Sequence, residues 1–320
     1  MAKLENELDV LMKALSLGEN TIGTIKDAST ASSFKRDNCK IVIYDLEATG
    51  LSSTTAELCQ IAAYYKGQEF SVYTIPSKGI PDKVSAITGL VIARGKMLLD
   101  KKPLTTVPIL DALQSFLEFL EKIGNVVLVA HNGFCYDAPL ILHQMKNHGL
   151  LDRFKNVVQG FADTLPILRK QLPDRVKEKK KFNQSTLAEE FVNPTDIKPA
   201  HNAINDVCVL HKLLEKLCVS ENIIKSEAIG LEDFLKHRES LDKKKCNENS
   251  LKHLGDAISK YMREKMAKEG INLERLELTF DDFGEDGIRL LLSNVIKRDR
   301  DRILLNIINK LKDMKKKDVV

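Results

Sequence analysis

Two carboxylates lie two residues apart at the end of an apolar segment. In IVIYDLEATG, Asp45 and Glu47 follow four apolar or aromatic residues. If this segment is a β-strand, residues two apart project to the same face, so both carboxylates point at one region of space. Hard cations such as Mg²⁺ and Mn²⁺ prefer carboxylate oxygens. The pair indicates a candidate metal site, although a strand leaving the core explains it equally well when it is taken alone.

Asp137 offers a third carboxylate close to another apolar run. The run NVVLVA predicts a buried central strand, and a helix is predicted to begin around Tyr136. An Asp in the first turn of a helix can simply interact with the helix dipole. It can also reach a metal ion beside the central strand. His131 and Asn132, in the same loop, fit hydrogen-bonding roles at the strand end better than metal ligation.

His201 and Asp206 lie five residues apart in PAHNAINDVCVL. Five residues of an α-helix rotate well beyond one turn, so these two side chains would not share a face if both were helical. Because His201 follows Pro199 and Ala200, we expect it on the loop before the helix, with Asp206 inside the helix. A loop histidine near a fixed carboxylate could reach a metal-bound water. Taken singly, each is also typical of a surface residue or a polar helix position.

The composition allows one full-sized domain and a smaller one. The chain has 320 residues, of which 43% are hydrophobic, and a formal net charge of +4. This weakly basic balance is compatible with a nucleic-acid partner but does not establish one. The six cysteines form no C-x-x-C pair, which favours reduced structural cysteines over a zinc or disulfide framework.

No membrane or secretion signal is predicted. No apolar run approaches the roughly 20 residues of a membrane span, and the N-terminus lacks a basic segment followed by an apolar one. We therefore expect an intracellular protein, nuclear or cytoplasmic, with no membrane partner.

Three regions are predicted along the chain. Residues 1–38 combine a helix, with a leucine stripe at positions 4, 8, 11 and 15, and a polar linker. Because such a stripe could pack against a second copy of the chain, a homo-oligomer is one possibility. Residues 39–220 show three strands, a helix, a strand, a helix, a strand and further helices, which predicts an α/β domain with a mixed β-sheet flanked by helices. Residues 221–320 are charged and helical, which predicts a helical C-terminal appendage.

The ordered set of motifs resembles a known family. D-x-E on a first strand, an Asp at the start of the helix after the fourth strand, and H-x-x-x-x-D near the domain end are similar to the DEDDh exonucleases of the DnaQ-like group. IPDKVSAITGL resembles the equivalent segment of proofreading and three-prime repair exonucleases. CQIAAYYKGQEFSVYTIP and VQGFADTLPILRKQ look most similar to the exonuclease domain of the long promyelocytic leukaemia protein isoform. The resemblance covers about residues 39–218.

The resemblance implies an RNase H-like fold and a metal-dependent 3′-to-5′ exonuclease that releases nucleoside 5′-monophosphates. It implies two Mg²⁺ or Mn²⁺ ions, with Asp45 bridging both, Glu47 and Asp206 on one, and Asp137 acting mainly through water on the other. It further implies that His201 is the general base. Residues 49–51 (Thr49, Gly50 and Leu51) would hold the terminal nucleotide.

The implied partner is a nucleic acid with a free 3′ end. DNA is favoured over RNA because the resemblance is to repair-type relatives. Two alternatives stay open: a 3′-to-5′ exoribonuclease, and a catalytically silent scaffold that binds nucleic acid or protein.

Overall fold

The computed structural model describes residues 34–197, 199–297 and 299–317. The predicted helix near the N-terminus lies outside the described residues. The chain divides into two compact units between Phe234 and Leu235. The boundary predicted from the sequence lies earlier, between residues 220 and 221.

The first unit is built on a seven-stranded mixed sheet with the order β10-β9-β8-β1-β2-β3-β7, and a separate three-stranded sheet has the order β4-β5-β6. The strands are β1 (Lys40–Ala48), β2 (Leu58–Tyr65), β3 (Gln68–Thr74), β4 (Leu90–Ala93), β5 (Lys96–Leu99), β6 (Lys102–Pro103), β7 (Thr106–Val107), β8 (Val126–Ala130), β9 (Val158–Asp163) and β10 (Ile229–Gly230).

The predicted three-stranded meander and the buried central strand are both present. β1 pairs antiparallel with β2 and parallel with β8. All five residues of β8 are fully buried, because both faces of a central parallel strand are covered. The pairing of β1 with β8 runs from Lys40 opposite Val126 to Ile43 opposite Val129. Beyond Ile43, therefore, the edge of β1 on the β8 side is open for other contacts.

Helices cover the sheet of the first unit. They are α1 (Asp82–Thr88), α2 (Ile109–Ile123), α3 (Asp137–Asn147), α4 (Leu151–Val157), α5 (Thr164–Gln171), α6 (Pro173–Lys177), α7 (Gln184–Phe191), α8 (Ala203–Lys216) and α9 (Glu221–Glu227), and α10 (Leu231–Ser250) crosses the unit boundary. The helix α8 matters most for the site. Its Val207 and Leu210 share a buried apolar cluster with Ile43 of β1 and Ala62 of β2. This packing places α8 on the sheet face to which Asp45 and Glu47 also project.

The hairpin strands β4 to β6 were not predicted from the sequence. Arg94 and Gly95 both adopt positive φ at the first turn, as do Asp100 and Lys101 at the second. Arg94 and Lys101 are residue types that seldom adopt this conformation, so the turns carry a weak sequence signal.

The second unit is helical, as predicted. Its helices after α10 are α11 (Lys260–Lys268), α12 (Leu273–Leu291) and α13 (Arg300–Lys317). The hydroxyl of Ser259 caps α11 and the side chain of Asn272 caps α12, and Gly284 interrupts α12 with a positive φ. In the described part of the chain, no helix combines the length and apolarity needed to cross a bilayer.

Candidate active site

Asp45 and Glu47 project from β1 on the side that α8 covers. They lie opposite Ala62 and Gln60 of β2. Both side chains are half-buried near the carboxyl end of the strand. The period-two alternation of the strand therefore brings the two carboxylates together.

Asp206 joins this pair from α8. One ligand oxygen from each of Asp45, Glu47 and Asp206 lies within 4.8 Å of the other two. The Asp206 carboxylate also accepts hydrogen bonds from the backbone N–H groups of His201 and Asn202. The loop before α8 and the carboxylate cluster are thus directly connected.

Asp137 lies at the first position of α3, where it is almost fully buried. Its carboxylate accepts hydrogen bonds from its own backbone N–H and from that of Leu46, on the part of β1 that β8 does not pair. Its Oδ1 atom is buried and has no hydrogen-bond partner among the described residues. A buried carboxylate oxygen without a donor is costly unless a cation or a water satisfies it. Asp137 lies outside the three-residue cluster, but its charge acts on Asp45 and Glu47.

The four carboxyl groups repel one another in a poorly solvated site. Burial, followed by the charges of Asp137, Asp206 and Glu47, raises the pKa of Asp45 well above its usual range. Burial and neighbouring carboxylates raise the pKa of Glu47 to about 8, and burial first of all raises that of Asp137 to about 8 and that of Asp206 to about 7. Divalent cations would relieve this repulsion, and an all-oxygen donor set fits Mg²⁺ or Mn²⁺. The residues present therefore fit a bound metal.

His201 lies in the loop before α8, as predicted from its position after Pro199. The helix begins at Ala203, so Asp206 is helical and His201 is not. His201 has a φ of 63°, which is unusual for a residue with a Cβ atom. Its side chain is half-buried. The hydrogen bond from its backbone N–H to Asp206 places it next to the carboxylate cluster.

The segment from Thr49 to Leu51 follows β1 and is held from two sides. The Thr49 hydroxyl accepts a hydrogen bond from the backbone N–H of Glu57, with an N···O distance of 3.0 Å. The hydroxyl of the half-buried Tyr136 donates to the carbonyl of Gly50 at 2.9 Å. A Cβ atom built on Gly50 would have no protein atom within 4 Å. The surrounding protein therefore leaves open space at this glycine.

His131 has a structural role, which agrees with the sequence analysis. Its Nδ1 lies 2.9 Å from the Thr164 hydroxyl and its Nε2 lies 2.7 Å from the carbonyl of Phe182. Burial lowers the pKa of His131 to about 4, so the ring is neutral at physiological pH. Since a carbonyl can only accept, Nε2 carries the proton and Nδ1 accepts from Thr164.

Four supporting residues near the site escaped the sequence analysis: Gln60, Tyr136, Asp163 and Gln184. The amide of Gln184 donates to the carbonyl of Asp206 at 2.9 Å. The Asp163 carboxylate accepts from the backbone N–H groups of Asn132, Phe134 and Leu165, at 2.8, 3.1 and 2.9 Å. Asp163 thereby fixes the loop that leads into Asp137. The one sequence signal for this role of Asp163 is its position between a strand and a helix, where an Asp is a favourable N-cap residue.

Replacing Asp163 by alanine should lower the free energy of unfolding by about 2–4 kcal/mol, because three backbone donors would lose a buried charged acceptor. Since the chain contains no tryptophan, urea denaturation would be followed by circular dichroism. Asp174→Ala is the matched control, because its carboxylate is exposed and pairs with Lys177 Nζ at 2.9 Å on the surface. It should change stability by less than about 0.5 kcal/mol. Equal losses in the two variants would contradict the role assigned to Asp163.

The comparisons with known proteins agree with the fold. Residues 39–191 match the family model described as the Exuperantia RNAse H-like domain. A DNA polymerase III PolC-type protein of Clostridium perfringens is 29% identical over 181 residues, which are 54% of this chain and 11% of that protein. The PolC-type protein of Streptococcus pyogenes serotype M2 is 31% identical over 138 residues, which are 42% of this chain and 8% of that protein. The chain thus spans only about a tenth of the length of these relatives.

Among solved structures, E. coli exonuclease I in complex with a dT13 oligonucleotide has a TM-score of 0.44 and 15% identity, over 56% of this chain and 41% of that chain. The matches give no support to the narrower resemblance to the promyelocytic leukaemia protein isoform. The predicted RNase H-like mixed sheet with flanking helices is confirmed. Residues 39–191 therefore form a domain with an RNase H-like fold.

Proposed function

We propose that this chain is a metal-dependent 3′-to-5′ exonuclease that removes nucleoside 5′-monophosphates from DNA. The observation that carries the proposal is the convergence of Asp45, Glu47 and Asp206, whose ligand oxygens lie within 4.8 Å of one another. Asp137 adds a buried, unpartnered oxygen beside them. His201 is linked to the same cluster through its backbone.

Asp45, Glu47 and Asp206 would hold the metal directly, and Asp137 would contribute its Oδ1 atom. When bound, two divalent ions neutralise charge on the scissile phosphate and on the leaving oxygen. A donor set of four carboxylates favours Mg²⁺ or Mn²⁺. The hydrogen bonds to Asp137 and Asp206 fix the orientation of these side chains before any ligand arrives.

His201 would act as the general base. Its imidazole accepts a proton from the attacking water, whose oxygen forms a bond to phosphorus as the bond from phosphorus to the 3′-oxygen breaks. The leaving 3′-oxygen takes up a proton, so that the shortened strand ends in a 3′-hydroxyl and the product is a 5′-monophosphate. An imidazole is the side chain that most often accepts a proton in general base catalysis.

The segment from Thr49 to Leu51 would bind the terminal nucleotide. The open space at Gly50 allows a nucleotide to approach the backbone closely. The hydrogen bond from Tyr136 holds this segment in place. The half-buried Leu51 side chain offers an apolar surface on which a base could rest.

An exposed basic stretch could bind the strand further from its end. Residues 177–181 contain four lysines, all exposed. The stretch is tied to the site region because its neighbour Phe182 accepts from His131, and because Arg175 donates to the carbonyl of Lys181 at 2.8 Å. Binding through these lysines would weaken with salt, since contacts to phosphates release counterions.

A nuclease assay on the full chain tests the proposal. The substrates are 5′-labelled single-stranded DNA, duplex DNA and RNA of one sequence, each with Mg²⁺, Mn²⁺ or a chelator. We expect stepwise shortening of the labelled DNA strand from its 3′ end with either ion, no shortening with chelator, and protection by a 3′-terminal phosphate. Faster cleavage of RNA would favour the exoribonuclease alternative, because no identified residue reads the 2′-hydroxyl. Binding without any turnover would favour a silent scaffold.

A further inference from the structure

Gln60 is a fully buried polar residue next to the carboxylate cluster. It lies on β2 opposite Glu47 of β1, and opposite Tyr73 of β3 on its other side. Directly opposed residues of neighbouring strands share one sheet face. Glu47, Gln60 and Tyr73 therefore form a row across three strands, on the face that α8 covers.

The amide of Gln60 connects this row to the start of α8. Its Oε1 accepts a hydrogen bond from the backbone N–H of Ala203 at 3.0 Å. Its Nε2 donates to Oδ1 of Asn202 at 3.3 Å and to the hydroxyl of Ser71 at 3.1 Å. Nδ2 of Asn202 in turn donates to the Tyr73 hydroxyl at 3.0 Å. The acceptor and both donors of the buried Gln60 amide are thereby satisfied.

This network replaces the usual cap of the helix. Asn202 holds the N-cap position of α8, yet its side chain makes no capping hydrogen bond to the helix. The first N–H groups of a helix need partners from outside it. At Ala203 that partner is Gln60, a residue of the sheet. The start of α8 is therefore anchored to the central sheet rather than capped locally.

The anchor adjoins a residue in a strained conformation. The φ of 63° at His201 costs a non-glycine residue about 1–2 kcal/mol, and the surrounding structure must compensate for it. Asp206 accepts from the backbone N–H of His201 and of Asn202, while Gln60 and Tyr73 hold the side chain of Asn202. Without Gln60, His201 could relax to a negative φ, which would turn its Cα–Cβ bond and carry the imidazole away.

We propose that Gln60 is a positioning residue that directs His201 toward the reacting water by anchoring Asn202 and Ala203 to the sheet. This inference rests on the proposed function, since the role of His201 comes from there. Gln60 itself does not touch the reacting atoms.

The test is a double-mutant cycle in the full chain. Gln60→Met keeps the size of the side chain and removes its hydrogen bonds. We expect kcat for mononucleotide release to fall about 10- to 100-fold with KM changed less than about threefold, because a misplaced base affects the reaction step more than binding. In a His201→Ala background, the same substitution should cost less than about threefold. Equal losses in both backgrounds, or an unchanged kcat, would overturn the inference.

Ser71→Ala is the matched control. It removes the one hydrogen bond of Gln60 that does not lead to the loop, so kcat should stay within about twofold. If Gln60→Met fails to fold, Tyr73→Phe replaces it in the same cycle, because it removes only the hydroxyl that holds Asn202. A loss with Tyr73→Phe that persists in the His201→Ala background would also overturn the inference.

A second measurement does not depend on activity. Amide hydrogen exchange at His201 and Asn202, followed by NMR, should be slow in the natural chain and faster in Gln60→Met, because their N–H groups would lose the fixed geometry toward Asp206. Unchanged exchange would overturn the anchoring role. If exchange responds while the natural chain shows no nuclease activity, the anchor stands, but the proposed function and the catalytic role of His201 fail.

Discussion

Asp206→Asn is expected to lower the rate of mononucleotide release from single-stranded DNA by at least about a thousandfold, with Mg²⁺ or Mn²⁺ in excess. A factor of this size corresponds to about 4 kcal/mol of lost transition-state stabilisation, a reasonable loss when one of three converging metal ligands becomes neutral. Asparagine keeps an oxygen that can accept from the N–H groups of His201 and Asn202. The substitution should therefore remove charge without displacing the loop.

The matched control for Asp206→Asn is Glu215→Gln on the same helix. Glu215 is an exposed carboxylate near the end of α8, and it pairs with His211. Its neutralisation should leave the rate within about twofold, and circular dichroism should show both variants folded. A folded Asp206→Asn variant with the natural rate would exclude this carboxylate cluster as the catalytic centre, even if the chain is a nuclease.

A second large effect is expected in the thermal stability of the metal-free chain. Glu47 and Asp137 have pKa values raised to about 8 and Asp206 to about 7, against about 4 in an unfolded chain. A carboxyl group whose folded-state pKa is raised contributes stability at pH values below its unfolded pKa. That contribution is lost as the pH rises through the folded value. With a chelator present, the melting temperature should therefore fall between pH 6 and pH 8.5.

Mn²⁺ should reverse this trend, because it binds the ionised carboxylates. At a hundred times its dissociation constant, a ligand stabilises the folded state by about 2.7 kcal/mol, which corresponds to roughly 5–10 °C for a unit of this size. The stabilisation should be larger at pH 8.5 than at pH 6. Scanning calorimetry or circular dichroism on the natural chain and on Asp206→Asn provides the measurement. An equal response to Mn²⁺ in both proteins would place the binding site elsewhere.

The sequence by itself determined the local part of the site. Side chains alternate along a strand, so Asp45 and Glu47 had to share a face once IVIYDLEA was interpreted as a strand. Helical geometry showed that His201 and Asp206 would not share a helix face, and the preceding Pro199 predicted the loop on which the histidine is found. The continuous apolar run of β8 likewise predicted a central strand. Each of these predictions depends on a local pattern of side chains that a short segment of the sequence contains.

Only the tertiary structure decided how these segments meet. The hydrogen bond between Gln60 and Ala203 joins residues 143 positions apart, and the one between Asn132 and Asp163 spans 31. A local sequence pattern does not predict such contacts, because they depend on the order in which the strands pair. The raised pKa values have the same origin, since burial and repulsion arise only when β1, α3 and α8 bring four carboxylates together. The sequence therefore supplied the reactive groups, and packing against a shared sheet face supplied their positions and their electrostatics.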